Sequence, residues 1–203
     1  MKIPNYIYLS LQLIACIFAL IYWRKYKQSS LWIFLPFLIY TFLNEIVATY
    51  LALNFKIRIL YNLYIIVSFL VYLYWFDRLI KLKFWKWIIM ILFCFVVFYD
   101  IQTKGIIKPL LKTAINIETA TVLILSVVFF MKLLRKDEVI GYYKLPEFWV
   151  VSGLLMFYLG FVPLSLIVGM GYKIEDLYII SIIFLNFLLY GGYIIGFYVS
   201  RKR

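Results

Sequence analysis

The chain has 203 residues, 67% hydrophobic and 22% aromatic, with 21 Lys and Arg against 9 Asp and Glu, a formal charge of +12 and no histidine. A chain this apolar cannot hide its surface in one soluble core and belongs in a bilayer. The missing histidine removes the commonest general base, the commonest transition-metal ligand and His-ligated haem, while the positive charge suits cytoplasmic loops and anionic lipid headgroups better than nucleic acid.

Crossing about 30 Å of hydrocarbon takes about 20 helical residues. The first candidate, 5–23, follows Lys2, lacks a small-residue cleavage site and runs into Arg24, Lys25 and Lys27. It reads as a retained first span rather than a signal peptide. The second, 31–53, carries Pro36, expected to kink it near one end, and the polar pair Asn44 and Glu45. The third, 57–76, has a stripe of Tyr61, Tyr64, Ser68, Tyr72 and Trp75 at helical spacing. The fourth, 84–103, is the weakest: its clean apolar core runs only from Trp87 to Tyr99, so Lys83 and Lys86 must reach back to headgroups. The fifth, 109–131, holds Asn116 and Glu118. The sixth, 148–170, contains Gly153, Gly160 and Pro163, the last a kink or hinge candidate. Gly169 and Gly171 turn the chain into the seventh, 177–199, which carries Asn186, Tyr190, Tyr193 and Phe197 on one stripe. Its Gly192 and Gly196 form a GxxxG that allows close helix approach, within the chain or between two copies of a homo-oligomer. Cys16 and Cys94, in separate apolar runs, read as small core residues. The fold class is all-α: one polytopic seven-helix transmembrane domain over residues 1–203.

Basic residues set the expected orientation. One side collects Arg24, Lys25 and Lys27, then Arg78 to Lys86, Lys132 to Lys144, and Arg201 to Arg203, fourteen in all; the other collects seven. This predicts an outside N-terminus and a cytoplasmic C-terminus. Trp23, Trp32, Trp75, Trp85 and Trp149 fall near the cytoplasmic helix ends, as an aromatic belt would.

Glu45 and Glu118 stand out because a charged side chain at mid-span costs about 2.5–3.5 kcal/mol on insertion scales. At a rise of about 1.5 Å per residue, Glu45, Glu118 and Asn186 all lie roughly 12–14 Å below the outer surface. Asn44, Asn116 and Tyr64 fall close to that level. If spans 2, 5 and 7 are neighbours, these groups form a ligand- or ion-binding site in the outer half. Alternatively, they serve only to bond helices together, with the acids neutral. The sequence leaves both readings open.

Several functions lack their residues. The last span has no lysine for a retinal Schiff base, and there is no P-loop, zinc signature or nucleophile beside a base. Asp137 and Glu138 are an isolated pair in a basic loop. No enzyme activity, metal or other cofactor is expected.

Leu43-Asn44-Glu45-Ile46 with Tyr50-Leu51, Leu60-Tyr61-Asn62-Leu63-Tyr64, and Phe148-Trp149-Val150-Val151-Ser152-Gly153 resemble stretches of a family of small uncharacterised seven-transmembrane bacterial membrane proteins, often found near sensor-kinase genes. The resemblance implies a sensory role in the cytoplasmic (inner) membrane and polar positions at Glu118 and Asn186. It also implies an acid four residues after Tyr64, where this chain has Ser68. The expected function is a receptor-like signalling subunit whose outer-half pocket binds a small ligand, lipid or proton and signals through a cytoplasmic partner. A cation- or proton-coupled transporter and a structural subunit of a membrane assembly remain the alternatives.

Overall fold

A computed structural model describes residues 3–51, 57–105, 110–135, 141–171 and 175–200. Seven helices follow one another: α1 (Ile3–Tyr26), α2 (Phe34–Leu51), α3 (Ile57–Ile80), α4 (Trp85–Lys104), α5 (Lys112–Leu134), α6 (Pro146–Gly169) and α7 (Glu175–Val199). All seven are long and apolar enough to cross a membrane, and the described residues contain no strand. Lys2, Ala52, Lys56, Lys108, Lys173, Asp137, Glu138 and the cluster Arg201, Lys202, Arg203 lie outside the described residues.

The packing order explains where a site can form. α1 packs on α2 and α7, α7 on α6, α6 on α5, α5 on α3, and α3 on α2. Six helices therefore close a ring, and α4 stands outside it against α5. Phe93 of α4 stacks on Phe69 of α3, with centroids 3.6 Å apart, yet only 11% of the apolar window of α4 is buried. Spans 2, 5 and 7 are thus not one contiguous face; α1 and α3 stand between them.

The tightest seam is α6 against α7. Apolar surface gives no drive for association in lipid, so close van der Waals contact must supply it. Gly153 and Gly192 face each other across this seam, and Gly196 lies against Pro146 and Val150. The GxxxG face is therefore used within the chain, and neither glycine is open to a second copy.

Helix ends are tied by the few polar groups that the chain spends on them. Asp100, at the end of α4, is fully buried and accepts hydrogen bonds from the Thr113 amide (3.0 Å), the Thr113 hydroxyl (2.8 Å) and the Ala114 amide (3.2 Å). Asn62 of α3 accepts from the Leu111 amide at 3.1 Å. Together they satisfy N–H groups that the start of α5 cannot satisfy itself. At the opposite end of the bundle, Asp77 of α3 accepts from the Leu82 amide (3.1 Å) and pairs with Lys86 of α4 (2.9 Å). Lys86 thus has an acid partner rather than reaching alone to headgroups. Lys132 of α5 donates to the Ile80 carbonyl at the end of α3.

Pro36 falls in the first turn of α2, where its missing N–H breaks no intrahelical bond. The expected kink is replaced by a 3-10 turn, Ser30–Ile33, just before the helix. Trp75, expected in an interfacial belt, is fully buried, its ring 4.8 Å from that of Phe34. It occupies the inward stripe of α3, two turns beyond Ser68. Cys16 is buried, whereas Cys94 is exposed on the outer face of α4.

The interior divides into two layers. In the half toward the start of α2, Tyr26, Phe34, Phe37, Tyr72, Trp75, Tyr193 and Phe197 fill the ring with aromatic contacts. The Tyr72 and Tyr193 hydroxyls meet at 3.1 Å. In the other half, toward the start of α1, the filling stops and a cavity opens.

Candidate functional site

Five helices wall a cavity of about 420 Å³ at the end of the bundle where α1 begins. α1 contributes Tyr8 and Gln12, one turn apart on one face. α2 contributes Thr41, Asn44 and Glu45 from the turns before its end. Tyr61 and Tyr64 come from the first turns of α3, and Phe157 from the middle of α6. α7 supplies Tyr178, Ile182, Asn186 and Tyr190, spaced so that every turn presents one residue inward.

The polar groups are sparsely served by the protein. The Asn186 amide nitrogen donates to the Ile182 carbonyl of its own helix at 2.8 Å. The Gln12 side-chain oxygen is buried with no hydrogen-bond partner. No hydrogen bond or ion pair joins the Glu45 carboxylate to another described residue. Tyr8, Tyr61 and Tyr190 stand close enough to feel its charge. A buried polar group without a partner costs on the order of 1–3 kcal/mol. The Gln12 oxygen bears that cost beside a carboxylate that has no protein hydrogen bond among the described residues.

Glu118 occupies a different position. It is buried in the wall between α3, α5 and α6, and its Oε1 accepts from the Ser68 hydroxyl at 2.7 Å and the Tyr158 hydroxyl at 3.3 Å. It does not line the cavity. Tyr64 does line it. Ser68, standing where the resemblance implied an acid, is a donor to Glu118 instead.

Of the residues singled out from the sequence, Glu45, Asn44, Asn186 and Tyr64 come together in the cavity. Glu118 lies behind it, and Asn116 does not take part: it is exposed on the outer side of α5. Two residues along a helix turn a side chain about 200°, so Asn116 and Glu118 cannot both face inward. Pro163 is exposed within α6, which continues beyond it to Gly169. Sequence reasoning missed Tyr8, Gln12, Tyr178 and Tyr158. Gln12 had a signal, since an amide in an apolar span is costly for the same reason as an acid. The tyrosines had none, because their rings fit equally well in a packed core.

Among the described residues no cluster of three His, Cys, Asp or Glu side chains could hold a metal ion. No family model matches the sequence, and no curated protein or solved structure matches it either.

Proposed function

We propose that this protein is an integral membrane sensory or signalling subunit. It sits in a bacterial cytoplasmic membrane with the start of α1 outside. A small ligand, lipid headgroup or proton enters the cavity, and a cytoplasmic partner reads the resulting change in helix packing. The imbalance of basic residues between the two sides supports the orientation, and the resemblance to proteins encoded near sensor kinases points the same way.

One observation carries the reading: the polar cavity lies directly on a packed aromatic layer. Phe34, Trp75, Tyr193 and Phe197 are 0–1% exposed and fill the ring beneath it. A ligand bound among five helices biases how they pack, while that layer gives it no path onward. Binding without passage favours a receptor over a carrier. The exposed Lys144 and Arg135 lie at the far end, where a partner would dock.

A photo-crosslinking residue placed at Lys144 in the full-length chain in cells tests this. The expected result is an adduct with a cytoplasmic protein whose yield changes at least about threefold with Glu45→Gln at equal expression, a shift of the size that allosteric coupling gives. An adduct indifferent to Glu45, or ligand flux through proteoliposomes of the purified protein, refutes the sensory reading.

A further inference from the structure

The cavity also restricts what it can bind. This step rests on the same pocket as the sensory reading and names its ligand class. Among the described residues that line it, Glu45 is the one charged side chain, and no described Lys or Arg joins it there. An anion would find no counter-charge here and a carboxylate to repel it, so carboxylate and phosphate ligands are disfavoured.

A bare metal ion fits no better. It needs several oxygen or nitrogen ligands at about 2.0–2.6 Å, and the described lining supplies one carboxylate, with no group of three His, Cys, Asp or Glu among the described residues. The space of about 420 Å³ is far larger than a dehydrated ion and lies in the range of small-molecule sites.

The rest of the described lining is uncharged: aromatic residues, the amides Gln12, Asn44 and Asn186, and Thr41 and Ile182. Half of the lining residues are aromatic: Tyr8, Tyr61, Tyr64, Phe157, Tyr178 and Tyr190. Ring faces carry negative electrostatic potential and attract a cation within about 6 Å, most strongly where water is excluded. Gln12 also belongs to the lining, and its side-chain oxygen is buried without a hydrogen-bond partner. An acid with no counter-ion among the described residues and a lining rich in aromatic rings together match one chemistry.

We infer that the cavity binds a small organic ammonium cation: Glu45 supplies the counter-charge, and the aromatic side chains around it hold the cationic head. The same head group occurs on free amines and on ethanolamine or choline lipids.

The test uses the full chain in nanodiscs of phosphatidylglycerol, titrated with phenethylammonium chloride and with tetraethylammonium chloride. Sodium chloride and sodium benzoate at equal ionic strength are the controls, and calorimetric binding and thermal stability are the readouts. The expected result is saturable binding of the ammonium salts alone, weakened about tenfold or more by Glu45→Gln, as loss of a charge-assisted contact predicts. Asn116→Ala, on the outer face of α5, should bind like wild type. Should Glu45→Gln not fold, Tyr61→Leu and the selectivity of the wild-type protein give the answer. Nanodiscs of phosphatidylethanolamine separate the sources: a protein already stabilised there and no longer titrated by amines takes its ammonium from lipid.

Saturable binding of benzoate, or ammonium binding unchanged in Glu45→Gln, overturns the assignment. The sensory reading survives that outcome if the crosslink at Lys144 still responds to Glu45. Conversely, ammonium binding with no response at Lys144 keeps the ligand class and removes the signalling role.

Discussion

Gly192→Ala should separate α6 from α7, and the structure gives the size of the effect. A methyl group built on Gly192 would sit 2.7 Å from the Trp149 carbonyl oxygen and 3.0 Å from the Gly153 Cα. Both are backbone atoms and cannot rotate away. The first contact lies about 0.7 Å inside ordinary van der Waals separation, so the helices must move apart by several tenths of an ångström along their closest seam. Overpacking of this kind costs about 1–3 kcal/mol. Alanine recovers about 0.5–1 kcal/mol over glycine through its better helix propensity. Gly191 supplies the control: it lies on the same turn and a methyl there meets nothing within 4 Å, so Gly191→Ala collects the propensity gain alone. Reversible unfolding in bicelles should therefore place Gly192→Ala about 1–3 kcal/mol below Gly191→Ala. Equal stabilities, or a more stable Gly192→Ala, would show that the α6–α7 seam is looser than described and refute the argument.

Three further outcomes follow from particular contacts. Glu118→Leu leaves the Tyr158 hydroxyl buried without its acceptor and Ser68 with only the Ile65 carbonyl and should destabilise by about 1–3 kcal/mol, whereas Glu118→Gln keeps an oxygen and should cost less than about 1 kcal/mol, both read by the same unfolding assay. Asp100→Ala removes three hydrogen bonds from the start of α5 and should cost about 1–2 kcal/mol, with faster proteolysis between α4 and α5. Ser126 buries its hydroxyl with no partner, so Ser126→Ala should leave the melting temperature unchanged or raise it, by up to about 1 kcal/mol of stability; a clear loss would mean that the hydroxyl is bonded.

The seven spans were legible because 20-residue apolar runs between basic connections have one physical solution. Glu45 and Asn186 were legible because a costly polar group in hydrocarbon must be kept for a reason. What stayed hidden was neighbourhood. Span order along the chain does not reveal that α4 is expelled from the ring or that α1 and α3 wedge between α2, α5 and α7. Depth sets Glu118 level with Glu45, and only the packing shows that Ser68 and Tyr158 hold it in the wall. Depth likewise draws in Asn116, against the helical angle that places it opposite Glu118. Trp75 shows the same ambiguity from the aromatic side, since tryptophan near a helix end serves as belt or core and only packing decides.

The contact between α1 and α7 closes the ring, and these are the first and last of the seven helices. Each contributes to the cavity, Tyr8 and Gln12 from one and Tyr178 to Tyr190 from the other. During synthesis the chain emerges at about 5–20 residues per second, so α1 waits on the order of ten seconds or more for its partner. Throughout that interval Glu45 and Gln12 have no enclosing wall and must be solvated by headgroups, by water or by an insertion factor. The cavity is consequently complete only once α7 has been made. A lesion in α7 that leaves all earlier spans inserted would give a protein with correct topology and no cavity, separating delivery to the membrane from acquisition of function.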